Sequence, residues 1–140
     1  MIEPKTQKPT PTEEREAYAL ATKRDGDICQ RCLRYCGPTN RDHRKPRGQG
    51  GLTTAGNLQC LGGSGTTGCH GWRTENPADA LAQGWSVPSF ADPLSWPAAR
   101  WFPTPWNTLR LGWVLYDDLG GFREINYLVA RRLGRGLVNA

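Results

Sequence analysis

The sequence predicts an α+β chain. A short two-stranded hairpin and the helix after it are clamped by a metal ion. One helix precedes this core, and a Trp/Pro-rich wrapping segment and a second hairpin follow it. Three observations lead there. All five cysteines and both histidines of the 140 residues fall within 42 positions, from Cys29 to His70. Two short strand-like runs, one ending at Lys45 and one starting at Leu58, flank a loop holding four glycines. With 37% hydrophobic residues against 17 Gly and 11 Pro, the core is too lean to stand without a cross-link.

Taken in order, residues 1–11 read as a polar, mobile arm without periodicity. A helix has a clear start at Thr10, Pro11 and Glu13, which form a capping box with Pro in the first turn, and Gly26 is its expected stop. The central unit spans residues 12–84, with its core at 27–75, and the extension spans 85–140. Arg41–Lys45 would end the first strand, the loop 46–56 would turn tightly, and Leu58–Leu61 would form the second strand. A helix begins at Cys69. A shorter one, capped by Asn76 with Pro77 in its first turn, ends at Gly84. Residues 85–106 read as irregular apolar chain wrapping the domain, residues 111–125 as a hairpin turning through Asp117–Gly121, and Tyr127–Leu133 as a terminal helix. Arg131, Arg132 and Arg135 there would make an accessory basic patch or simply a soluble end.

No apolar run approaches the roughly 20 residues that cross a bilayer. Met1–Lys5 lacks the apolar centre of a signal peptide, so the protein is read as cytosolic. In that compartment five cysteines point to thiolate–metal bonding rather than disulfides. Cys29-x2-Cys32 lets two sulfurs reach one ion, and Cys60 and Cys69 would complete a closed tetrathiolate zinc (Zn2+) site. The eight residues between them, Leu61–Gly68, are Gly/Ser/Thr-rich and read as a flexible insertion, with Cys36 as a spare able to replace one ligand.

Charge is uneven. Eight of the 18 basic residues but only three of the 13 acidic ones lie between Lys23 and Arg47, so the remainder of the chain is balanced and the whole +5 excess surrounds the cysteines and histidines. A solvated basic face would explain such a run; its overlap with a metal site favours a polyanion, most simply nucleic acid.

Asp42-His43, Asn57-Leu58 and Cys69-His70, framed by Cys29-x2-Cys32 and Cys60 and joined by the Pro46–Gly51 loop, resemble the HNH endonucleases of the ββα-metal fold. The likeness covers roughly residues 20–75. Gly84–Pro88 and Gly112–Leu115 are similar, more weakly, to tails on small bacteriophage members. The resemblance implies a phosphodiester hydrolase acting on DNA, with His43 as general base, Asp42 and His70 as ligands of a catalytic cation, and Asn57 holding the loop and orienting His43. Products would carry 5′-phosphate and 3′-hydroxyl ends. In the phage setting, inside a bacterial host, the partner would be the large terminase subunit. Arg41, Arg44, Lys45, Arg47 and Arg73 would contact phosphates. No histidine follows His70, so any third ligand would be a carboxylate, amide or water; few protein ligands and several waters suit Mg2+ or Mn2+, while an imidazole would also accept softer ions. Neighbours on a regular strand point to opposite faces, so Asp42 and His43 share a site only if the strand ends or twists there. The rival readings are a non-catalytic zinc-dependent nucleic-acid-binding module and an enzyme acting on RNA.

Overall fold

The computed structural model describes residues 8–138, so residues 1–7 of the expected arm lie outside it. Helix α1 (Pro11–Asp25) begins with the full capping box: the Thr10 hydroxyl accepts from the Glu13 N–H, and the Glu13 carboxylate accepts from the Thr10 N–H, both at 3.1 Å. Gly26 ends it in the left-handed region at φ 67°, where a side chain would be strained. Strand β1 (Thr39–His43) pairs antiparallel with β2 (Leu58–Gly62), in a register that sets Arg41 against Cys60, Asp42 against Gln59 and His43 against Leu58. β1 stops two residues earlier than the sequence suggests, although the Arg44 N–H still donates to Asn57 O (2.7 Å), the residue opposite it in the same register. The intervening loop carries two 3-10 turns, Arg47–Gln49 and Ala55–Asn57. Helices α2 (Gly68–Glu75) and α3 (Pro77–Ala82) follow.

The extension is more regular than its composition indicates. β3 (Ala98–Pro103) lies inside the stretch read as irregular, and it pairs with β4 (Leu109–Tyr116), which pairs with β5 (Phe122–Ile125). The expected hairpin is thus a three-stranded antiparallel meander. Ala98, Ala99 and Arg100 carry little intrinsic strand preference; pairing with β4 and burial decide the matter. Trp85 and Trp96 are buried as the wrapping reading expects, whereas Trp106, at the β3–β4 turn, is exposed. Helix α4 (Tyr127–Val138) runs longer than expected. The chain is α+β, with four helices and two small antiparallel sheets among the described residues, and no described helix is long and apolar enough to cross a membrane.

Apolar packing is divided into small clusters. Ala17, Ala21 and Leu58 join α1 to β2; Val87, Ala91 and Trp96 hold the wrap; Ala98, Val114 and Tyr116 hold the meander. Buried charge joins them. Arg24 and Arg100 both grip Asp25, at 2.9 and 2.7 Å, and Asp25 also accepts the Cys60 N–H (3.0 Å). Burial works to raise the Asp25 carboxyl, but the Arg24 and Arg100 guanidiniums outweigh it and hold it below the usual range. Arg44, wholly buried, donates to the carbonyls of Gly84, Gly56, Pro93 and Trp96 at 2.9 to 3.2 Å, and its burial pushes it down to about 10.

Candidate metal centre and adjoining histidine site

Four sulfurs converge, but not the four expected. The ligand atoms of Cys29, Cys32, Cys36 and Cys69 all lie within 4.8 Å of one another. A tetrahedral zinc with Zn–S of about 2.3 Å separates its sulfurs by roughly 3.8 Å, so small side-chain adjustments would close this set on an ion. Cys60 is excluded because it alternates with Leu61 along β2. Leu61 packs with Cys29 and Cys69, so Cys60 faces the other side, where burial and the Asp25 carboxylate push its thiol up to about 11. Burial opposes ionisation of Cys29 as well. There the backbone N–H groups of Gly62, Cys32 and Arg31 prevail and bring the thiol down to about 7.

Glycines explain how Cys36 enters. A Cβ on Gly62 would sit 2.5 Å from the Cys36 sulfur, and one on Gly68 would sit 2.5 Å from the Cys36 carbonyl oxygen. Gly62 and Gly68 are therefore a surface against which Cys36 packs, rather than slack chain between two ligands. Within that stretch Ser64 and Thr67 close a turn on themselves, with Ser64 N–H donating to Thr67 O (3.1 Å) and Thr67 N–H to Ser64 O (3.3 Å). The signal available in the sequence was Cys36-Gly37 facing Gly62-Gly63 across the hairpin ends.

Next to Cys69 on α2, His70 turns to β1. Its Nε2 lies 3.2 Å from Asp42 Oδ1, while its Nδ1 is buried without a partner. Asp42 is nearly covered. Arg73 closes on it, with Nη2 donating to Oδ1 (3.2 Å) and Nε 3.1 Å from Oδ2 as an ion pair. Gln59, its cross-strand neighbour, reaches Oδ2 at 3.3 Å while also donating to Trp85 O (2.7 Å). Gln59 carried no mark in the sequence, but the β1–β2 register identifies it as the residue opposite Asp42.

His43 does not join this group. Alternation sends it to the face opposite Asp42, and its Nε2 meets the Thr53 hydroxyl at 2.9 Å. Burial outweighs the opposing Asp42 carboxylate and holds its imidazole below the ordinary histidine range. Asn57 is buried and ties the loop: Oδ1 accepts from Lys45 N–H (2.8 Å), and Nδ2 donates to Lys45 O and Leu52 O (2.9 Å each). Its hydrogen bonds go to Lys45 and Leu52 of the loop, and the His43 ring bonds to Thr53 instead.

The five expected phosphate contacts divide sharply. Arg44 cannot be one, since it is wholly buried on main-chain carbonyls. Arg41 is engaged by Asp27 (2.9 Å) and donates to the Thr22 hydroxyl (2.7 Å), and Lys45 Nζ donates to Ala91 O (2.9 Å). Arg73 serves Asp42, and Arg47, on the first 3-10 turn, is the exposed one. Arg131 and Arg132 on α4 are also exposed, and the Arg135 side chain lies outside the described residues. No family model matches this chain, and neither the curated proteins nor the solved structures yield a match to it.

Proposed function

We propose that the chain is a metal-dependent endonuclease of the HNH type that hydrolyses DNA phosphodiester bonds, built on a ββα-metal unit of β1, β2 and α2. One observation carries the reading: Cys69 and His70, consecutive at the start of α2, belong to two different donor groups, the thiolate cluster and the Asp42 pair. The thiolates would hold structural Zn2+, which pins α2 to the hairpin. Asp42 and His70 would hold Mg2+ or Mn2+ between the Asp42 Oδ1 and His70 Nε2 atoms, which face each other at 3.2 Å. When bound, that cation supplies positive charge to the phosphate and the leaving oxygen. His43 accepts the proton of the attacking water, with Thr53 setting the ring's orientation. Gln59 keeps Asp42 in place, Asn57 fixes the loop beside it, and exposed Arg47 meets the backbone of the substrate.

A specific observation favours the second reading, a zinc-dependent nucleic-acid-binding module. The His43 ring stands against Thr53, on the face of β1 away from the Asp42–His70 pair. Plasmid nicking with Mg2+, Mn2+ or Ni2+ separates the two. Nicking by the native protein that is lost in both His43→Ala and His70→Ala supports the enzyme. Salt-sensitive DNA binding with intact plasmid under all three ions supports the module. Competition between duplex DNA and structured RNA assigns the substrate. Work beside a phage large terminase subunit belongs to the same proposal, and co-purification with that subunit tests it.

A further inference from the structure

Arg31 lies between the two thiolates of the Cys29-x2-Cys32 turn, yet its side chain leaves the turn and crosses to α2. Its Nη1 donates to the Cys69 sulfur at 3.4 Å. Its guanidinium lies over the Trp72 ring, 3.6 Å from the centroid, with Trp85 at 5.8 Å. Those two indoles meet edge to face at 5.9 Å, and Trp101 Nε1 donates to the Arg31 carbonyl (3.3 Å). The cation is therefore fixed at both ends: its backbone by β3, its head by an aromatic stack one helical turn from the sulfur it touches.

This placement answers an electrostatic need. Four thiolates around a divalent ion carry a net charge of −2, and they lie among partly buried groups where water cannot fully neutralise them. The Arg31 guanidinium is placed to offset that charge at Cys69, the sulfur its Nη1 reaches. A stacked guanidinium supplies charge and a directed N–H at once, which a solvated lysine does less well.

We propose that Arg31 is a positioning and charge-balancing residue of the metal centre, its N–H···S bond to Cys69 and its stack on Trp72 holding α2 and the knuckle on one ion. The inference rests on the metal-centre reading of the four cysteines and adds to it a residue that ligates nothing.

The test uses the full chain, stripped with chelator and titrated with Zn2+ against a chromophoric competitor, and with Co2+ for its spectrum. The native protein is expected to take one ion with a tetrahedral thiolate spectrum. Arg31→Met is expected to keep that stoichiometry and geometry, to bind about tenfold or more weakly, and to move the sulfur-to-cobalt charge-transfer band to lower energy, since a sulfur without its N–H donor is more electron-rich. Arg31→Lys, which keeps charge and an N–H without the planar stack, is expected to fall between the two. A native protein that binds no metal removes the centre and this inference with it. A native protein that binds, with Arg31→Met equal to it in affinity, leaves the centre standing and overturns the role of Arg31. Weaker binding with an unmoved band also overturns it, because loss of packing alone would do that. Should Arg31→Met fail to fold, the Arg31→Lys band decides, and identity with the native band refutes the proposal.

Discussion

The thiolate end of the molecule and its arginine-braced end solve one shortage by different means. Around β1, β2 and α2, small residues and glycines leave little to bury, and four sulfurs close in where an apolar core would otherwise sit. Around the wrap and the meander, buried guanidiniums take that place: Arg44 gathers four carbonyls from three separate segments, and Arg100 ties β3 to Asp25 at the end of α1. The first device depends on a ligand and on thiol ionisation. The second is carried by the chain alone. The difference teaches that a basic residue near a metal motif is not thereby a surface residue, since Arg44 and Arg47, three positions apart, have opposite fates.

The largest expected effect breaks the braced end. Arg44→Met leaves four buried carbonyls without their donor and should cost about 3–5 kcal/mol, read as a lower urea midpoint whether or not metal is bound. A cost below about 1 kcal/mol would show that those carbonyls find water. Next comes the thiolate end. Cys36→Ser should weaken metal binding about 100-fold, equivalent to about 2.7 kcal/mol, while Cys60→Ser leaves stoichiometry and affinity unchanged; the reverse result would restore Cys60 as the fourth ligand.

Asn57→Ala removes three hydrogen bonds from a buried amide and should cost about 2 kcal/mol, with faster hydrogen exchange at the Lys45 amide as the local signature. The smallest effect is confined to acid. Asp25 has a folded-state value below its unfolded value of about 3.9, so its contribution is fully present above that pH and is lost as pH falls through the lowered folded value. Urea midpoints of chelated protein between pH 3 and 6 should show this decline. Asp25→Asn should flatten it, and an equal decline in that variant would place the acid sensitivity elsewhere.

Much of the local structure was legible. The capping box at Thr10 and Glu13, the stop at Gly26, the Pro77 helix start and the β4–β5 turn are signals read over four or five residues, because they depend on backbone donors and φ angles that near neighbours control. The cysteine and histidine concentration likewise pointed to one place in the chain. β3 was not legible, since Ala98, Ala99 and Arg100 owe their strand to β4.

Residue types and their spacing pointed to an α+β chain with a thiolate cluster, and the family resemblance pointed to Asp42 and His70 as partners beside it. Which cysteine completes the cluster, which face of β1 carries His43, and whether an arginine meets solvent or carbonyls were decided only when distant segments packed. Strand alternation removed Cys60 from the sulfurs and His43 from His70, while Gly62 and Gly68 opened the space that Cys36 fills. The place of Cys36 and the burial of Arg44 turn on contacts between distant segments, such as Cys36 against Gly62 and Arg44 against Trp96, 52 residues on, and no local pattern encodes them.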